Sequence, residues 1–442
     1  MAKDTPLSLR NSTMYSVFVR NYSDAGTFRA LEEDLPRIRA LGTDIIWLMP
    51  IHPTGEKNRK GALGSPYAIR DYRAVNPEYG TIEDFAHLVD AIHAQGMKCI
   101  IDVVYNHTSP DSVLSADHPE YFYHLPDGSF GNRIGDWWDV IDLDYSNAGL
   151  WTYQIETLKI WAQYVDGFRC DVAPLVPVGF WNRAREEVSA VRPGCIWLAE
   201  SAEPAFMTFG RSSGIPMASD GELYSAFDLC YDYDAYPTFD GVLTGKNTLS
   251  DYARELNRQE IIYPANYVKL RFLENHDRLR ASYLIRDPKA LVSWTAFNAF
   301  QKGCTLIYNG QEKGVTHTPG LFDKDTIDWN HGTIDLSDLM ARLSVIRKDP
   351  IFADSTYHVR AEGDTLIATH TENPKSPVDP AGSRMVGVFE TKGVPAVLCV
   401  RKIIPDGIYE NLIDHTKVEV AQGHLSTDGS PIILKVEGKE NG

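Results

Sequence analysis

Three acidic side chains in this sequence fall where short apolar runs end. Asp171 closes GFRCD, Glu200 closes IWLAE and Asp277 closes FLENHD. Arg169 stands two residues before Asp171, while His107 and His276 follow two other runs, in DVVYNH and LENHD. Charges beside an apolar run are unusual unless paired or solvated. Taken singly, an Asp after a strand is most often a turn or helix cap, and a lone His is an ordinary rim residue. Jointly they point to chemistry. Two carboxylates flanking a sugar are what retaining cleavage of a glycosidic bond needs. One is the nucleophile and the other alternates between acid and base, at about 5–5.5 Å separation. Arg169 beside Asp171 would keep it ionised and oriented. A less solvated Glu200 would hold its proton longer.

Something must bring these residues together. Eight β-branched or aromatic runs read as strands: 15–19, 45–49, 97–104, 166–170, 195–199, 226–229, 267–273 and 305–308. They are continuously apolar, as expected when both faces are covered. Helical patterns fall between them. Thr81 and Asp84 make a capping-box start ahead of an apolar stripe over Ile82, Phe85, Leu88, Val89 and Ile92, which Gly96 closes. Asp34 reads as a helix N-cap with Pro36 in the first turn. This alternation predicts an α/β fold, a (β/α)₈ barrel over residues 1–347. A doubly wound open sheet is the alternative, and the absence of G-x-G-x-x-G after the first run weakens it. Barrel function sits at the C-terminal strand ends, where Asp102, Asn106, Glu274, Gln311 and Glu312 also fall. The long connection 108–146 reads as an insert after the third strand, rich in Tyr, Phe and Trp. Beyond Pro350 short alternating runs predict an antiparallel β-sandwich over 350–442.

Composition narrows the partners. Of 442 residues, 60 are Asp or Glu and 43 are Lys or Arg, giving a net charge of −17. That excludes a phosphate-backbone binder, which needs a positive footprint. No apolar run approaches the roughly 20 residues of a membrane span. No apolar leader precedes a cleavage site. The six cysteines form no C-x-x-C and read as free buried thiols. A cytoplasmic enzyme is expected, with no nucleic-acid or membrane partner.

Six motifs in order, GTDIIWLMP, DVVYNH, GFRCDV, AES, FLENHD and GCTLIYNGQE, resemble the alpha-amylase family of glycoside hydrolases (family 13). The resemblance covers about residues 13–347. It implies Asp171 as nucleophile, Glu200 as general acid/base and Asp277 as the third carboxylate, which stabilises the transition state. It also implies that Arg169 pairs with the nucleophile, that His107 and His276 bind sugar hydroxyls, and that Tyr67 is the aromatic platform. The implied substrate is a maltooligosaccharide or other α-glucan, cut at α-1,4 bonds. Transfer to a second sugar, or cleavage of α-1,6 bonds, is the alternative on the same fold, and a non-catalytic sugar-binding protein a remote one. Calcium-dependent members commonly carry Lys-His three and four residues after the nucleophile. Pro174 and Leu175 stand there in this chain, so no metal and no other cofactor is expected. Asp102, Asn106 and Asp71 read as architectural.

Overall fold

The computed structural model describes residues 2, 4–373 and 382–438. Eight parallel strands close into a barrel: β1 (Thr13–Val17), β2 (Ile45–Leu48), β3 (Lys98–Val103), β4 (Gly167–Cys170), β5 (Ile196–Ala199), β6 (Leu229–Tyr231), β7 (Val268–Arg271) and β8 (Cys304–Tyr308). Each pairs with the next, and β1 with β8. Every residue of β1, β2, β4, β5 and β8 is buried. Covered on both faces, these strands need the uninterrupted apolar runs that the sequence shows. One run was expected too early. The sixth strand starts at Leu229, because Ala226 and Phe227 close the turn after the helix Asp220–Leu223. Asp228 is then fixed there by the Trp197 N–H and by Arg185.

Local rules account for the helices around the barrel. At the helix Ile82–Ala94 the Thr81 hydroxyl accepts from the Asp84 N–H, and the Asp84 carboxylate accepts from the Thr81 N–H. Phe85, Leu88, Val89 and Ile92 are its buried face. Asp34 does precede the helix Leu35–Ala40, with Pro36 in its first turn, but its carboxylate does not cap. It is taken by the Tyr22 hydroxyl and by Arg37.

Register places the functional residues. Asp102 on β3 lies opposite Arg169 on β4, and Arg169 opposite Leu198 on β5. Residues two apart on a strand share a face. Asp171 therefore follows Arg169 on the inner face, and Glu200 follows Leu198, so the two acids emerge level with one another at the C-terminal rim.

The insert after β3 is tied down by a two-residue ribbon, His107–Thr108 against Ile141–Asp142. It contains the short helix Val113–Asp117, capped by Ser112. The C-terminal part forms two four-stranded antiparallel sheets. One is ordered Ser355–Glu362, Thr365–Glu372, Arg384–Glu390, Ile432–Val436; the other Ala396–Cys399, His424–Thr427, Lys417–Ala421, Gly407–Glu410. Residues 439–442 of the expected β-domain lie outside the described residues. The first sheet seats Phe389 on Phe297 and Phe300 of the barrel helix Pro288–Phe300, with ring centroids 5.4 and 5.3 Å apart. His370 seals this junction. Its Nε2–H donates to the Phe300 carbonyl at 2.8 Å, and its Nδ1 accepts from the Ser355 hydroxyl. Burial pushes its pKa down to about 3, so the ring is neutral. Five cysteines are buried, but Cys399 is exposed, because its strand alternates at a sheet edge. Among the described residues no helix is long and apolar enough to cross a membrane.

Candidate active site

Arg169 is the hub of the rim and has no solvent exposure. Its Nη1 donates to both oxygens of Asp102, at 2.9 and 3.1 Å, and to Asp171 Oδ1 at 2.8 Å. Nη2 lies 3.0 Å from Glu200 Oε2, without the alignment of a hydrogen bond. Rings surround the guanidinium: its central carbon is 5.2 Å from the centroid of Trp47, 5.4 Å from Tyr231 and 5.7 Å from Tyr67. A buried cation is stable only with charge partners and a polarisable shell. Here Asp102 and Asp171 hold the guanidinium directly, Glu200 lies beside it, and three π faces form the shell.

The two rim acids are held differently. Asp171 is tied through Oδ1, with His107 Nε2 at 3.9 Å from its other oxygen. Glu200 Oε2 accepts from the Val172 N–H at 2.7 Å. That N–H is aimed by Val172 itself, whose φ of 36° is left-handed. For a β-branched residue this conformation is strained, and it turns the chain sharply just after Asp171. Burial raises the pKa of Glu200 well above the usual carboxylate range, against the opposing pull of Arg169. One acid is thus fixed against a guanidinium and the other leans toward holding its proton.

His276 Nε2 lies 2.7 Å from the Tyr67 hydroxyl and 3.1 Å from Asp277 Oδ2, with the Tyr67 and His276 rings stacked at 5.6 Å. Burial lowers the pKa of His276, so the imidazole is neutral. Asp277 reaches further out, with 42% of its side chain exposed. His107 is steadied by Asn106 at 3.1 Å and faces Trp137 at 5.3 Å.

Two cavities meet over these groups. The first, 300 Å³, contains Asp171 together with Tyr67, His107, His276, Lys60 and Phe322 in its wall. The second, 330 Å³, lacks Asp171 and is lined by Leu175, Glu203, Phe206, Met217 and Arg278. Trp137, Val172, Glu200 and Asp277 border both. Trp137, one of the aromatics of the insert, therefore faces the cleft. Phe122 of the same insert is core, 2% exposed. All seven residues singled out from the sequence, Tyr67, His107, Arg169, Asp171, Glu200, His276 and Asp277, come together here.

The comparisons with known proteins bear on the fold and the family. The family description "Alpha amylase, catalytic domain" matches residues 7–125, and "Bacterial Alpha amylase C-terminal domain" matches residues 356–434. The crystal structure of an alpha-amylase from Lactobacillus plantarum superposes with a TM-score of 0.92 at 47% identity, covering 97% of this chain and 100% of that one. The chain belongs to the alpha-amylase family. A noncanonic maltogenic alpha-amylase from Thermotoga neapolitana superposes with a TM-score of 0.85 at 32% identity, over 97% of this chain and 99% of that one. Among curated sequences, an alpha-1,4-glucan:maltose-1-phosphate maltosyltransferase of Rhodospirillum rubrum is 30% identical over 73% of this chain and 48% of its own length. The chain spans about half the length of the curated relatives it matches.

The structure gives content to the architectural reading of Asp102. It positions Arg169 through two hydrogen bonds and accepts from the Tyr67 hydroxyl at 3.2 Å. An acid in the middle of a buried run was the available signal. Trp47 and Tyr231 gave none, since ordinary core aromatics look the same. Glu274 and Glu312 hold loops instead. Glu274 accepts from Arg280 and from the Ala281 N–H, and Glu312 from Tyr15 and Arg37.

The family resemblance admits calcium at the seam between insert and barrel, and the residues there do not fit it. Asp142 accepts from the Arg133 N–H at 2.7 Å, and the Arg133 guanidinium lies 3.5 Å from the same oxygen. The Asn106 amide nitrogen is engaged with His107 and Asp144 accepts from the Ser146 N–H, so the unpartnered buried Asp142 Oδ1 is a single acid oxygen where several are needed. Among the described residues no group of three or more His, Cys, Asp or Glu could hold a metal ion, and a hard cation wants six or more oxygens. A positive side chain stands where a metal would need acids. EDTA is accordingly expected to leave both activity and the urea midpoint unchanged. Arg133→Ala should cost no more than about 1 kcal/mol in the same titration, because Asp142 keeps the Arg133 backbone N–H and loses only the guanidinium 3.5 Å away. Recovery with added calcium after chelation would refute this.

Proposed function

We propose that this chain is a retaining enzyme that cuts α-1,4-glucosidic bonds of maltooligosaccharides through a covalent glycosyl-enzyme. The observation that carries the reading is the single Arg169 guanidinium spanning Asp171 and Glu200. A shared guanidinium suits the close carboxylate pair of a retaining site, rather than the wider pair that leaves room for a water. In this reading Asp171 attacks the anomeric carbon from the β face, held in place by Arg169. Glu200 protonates the departing oxygen, then deprotonates the incoming nucleophile. Asp277 and the neutral His276 bind hydroxyls of the distorted ring. Tyr67 offers its face to the apolar side of the sugar, and His107 completes the pocket. The strained turn at Val172 costs stability, and its return is a backbone N–H fixed on Glu200. Nothing in the chemistry asks for a cofactor.

The glycosyl-enzyme can be resolved by water or by a sugar. Hydrolysis is supported by the alpha-amylases that match over nearly the whole chain. Transfer is favoured by the curated relatives, several of which are named maltosyltransferases. The second cavity agrees with transfer, because Trp137, Phe206 and Met217 give an acceptor ring apolar faces to rest on. Digestion of maltotriose separates the two. Glucose and maltose alone mean hydrolysis, products longer than maltotriose mean transfer, and no turnover of any α-glucan would end the proposal. Panose in the same series reports on α-1,6 cleavage.

A further inference from the structure

The cavity that holds Asp171 is walled on the side away from Glu203 and Phe206, and three loops build the wall. The loop after β2 brings Lys60, the insert brings Asp139, and the loop after β8 brings Phe322. Lys60 Nζ pairs with Asp139 Oδ1 at 2.8 Å, and Asp139 is 4% exposed. The same ammonium lies 5.3 Å from the Trp138 ring centroid and 5.8 Å from that of Phe322. The first and third loops are also joined by backbone. Leu63 N–H donates to the Phe322 carbonyl at 2.9 Å, and Ala62 N–H to Asp323 at 2.7 Å. Gly61 makes this approach feasible: its φ is 64°, and a Cβ there would lie 2.7 Å from both the Cβ and the carbonyl oxygen of Phe322. Below, the buried Arg20 donates to the carbonyls of Gly64 and Leu321, so the wall is anchored in the barrel.

The wall lies on the donor side. The sugar that becomes bonded to the nucleophile must sit in the cavity containing Asp171. The departing sugar must sit beside Glu200, in the cavity that lacks Asp171. Lys60 and Phe322 line the first cavity only. Its 300 Å³ equals about ten waters, enough for one glucosyl ring and part of a second. We propose that Lys60, through its ion pair with Asp139, closes the donor end of the cleft, so that the enzyme takes α-glucan chains from their non-reducing ends and holds no more than two glucosyl units on the donor side. This rests on the assignment of Asp171 as nucleophile and Glu200 as acid. Asp139 is buried while Lys60 keeps 23% of its side chain exposed, and opening the pair would leave the Asp139 carboxylate without its cation.

The test compares p-nitrophenyl α-maltoheptaoside with the same compound blocked by an ethylidene group on its non-reducing end, with products read by mass. The wild type is expected to release glucose or maltose from the free end. Its kcat/KM on the blocked compound should be at least about tenfold lower. Lys60→Ala is expected to raise the blocked-to-free ratio at least about threefold and to yield internal cuts, and Phe322→Ala is the parallel variant should Lys60→Ala fail to fold. Equal rates on both compounds with the wild type, or an unchanged ratio in folded variants, overturns the proposal. A wild type that turns over neither heptaoside nor α-glucosyl fluoride overturns the assignment of Asp171 and Glu200, and the proposal with it. Turnover of the fluoride with internal cutting of both heptaosides overturns the closure alone.

Discussion

Asp171→Asn is expected to lower kcat/KM on a maltooligosaccharide by about 10⁴-fold or more. That is a loss of over 5 kcal/mol of transition-state stabilisation, at about 1.4 kcal/mol per tenfold. The substitution keeps the shape and leaves an oxygen for Arg169 Nη1, now 2.8 Å from Oδ1. Arg169 also keeps both bonds to Asp102, so the urea midpoint should move little. The activity loss is then chemical rather than structural. Stereochemistry gives a second readout. Asp171→Gly opens room for azide on the face from which Asp171 would attack. With α-glucosyl fluoride and azide, this variant should give the β-glucosyl azide, since a single displacement inverts the anomeric centre. Residual activity of Asp171→Asn above about a tenth of wild type would remove Asp171 from the nucleophile's role, as would an α-configured azide product from Asp171→Gly.

The candidate catalytic groups were legible from sequence because barrel geometry imposes a simple rule. An acid that ends an inward-facing run emerges at the rim, and Asp171 and Glu200 obey it, while Asp277 lies further out in the loop after Arg271. The same rule underrates Asp102. One residue inside the end of β3, it looks like a buried acid serving the fold, and only the register opposite Arg169 shows what it does. The wall was not legible at all. Lys60 sits in GEKNRKGALG, which reads as a solvated turn, and Asp139 lies beyond a whole strand and most of the insert. No local signal links an ammonium and a carboxylate so far apart in the chain. The sixth strand was misplaced for the opposite reason. The apolar residues Ala226 and Phe227 continue the pattern of a strand, yet belong to the turn before it. Patterns of hydrophobicity report burial, and burial does not distinguish a strand from the turn packed beneath it.

Glu200→Gln should show an effect that depends on the leaving group. On a glucan, whose departing oxygen needs a proton, the expected loss is about 10²–10⁴-fold. On α-glucosyl fluoride the first step needs no proton, so the glycosyl-enzyme should form and then accumulate, with no base left to activate water. Azide needs no base and should restore turnover. Because it attacks the β-glycosyl-enzyme, its product is the α-glucosyl azide, opposite to that of Asp171→Gly. The pH profile gives the sign independently. Burial raises the pKa of Glu200 above its ordinary 4.5, and the acid works only while protonated. kcat/KM on a glucan should therefore fall as pH rises through the raised value, and Glu200→Gln should lack that alkaline limb. Stability follows the same linkage. The folded state keeps a proton that the unfolded chain releases near 4.5, so the stability tied to this proton is complete below that pH and declines as pH rises through the folded value. A neutral amide does not incur the loss, and Glu200→Gln should unfold at higher urea than the wild type at neutral pH. An inactive variant with a lowered urea midpoint, unresponsive to azide, would instead make Glu200 a structural residue and would leave the acid's role without an occupant.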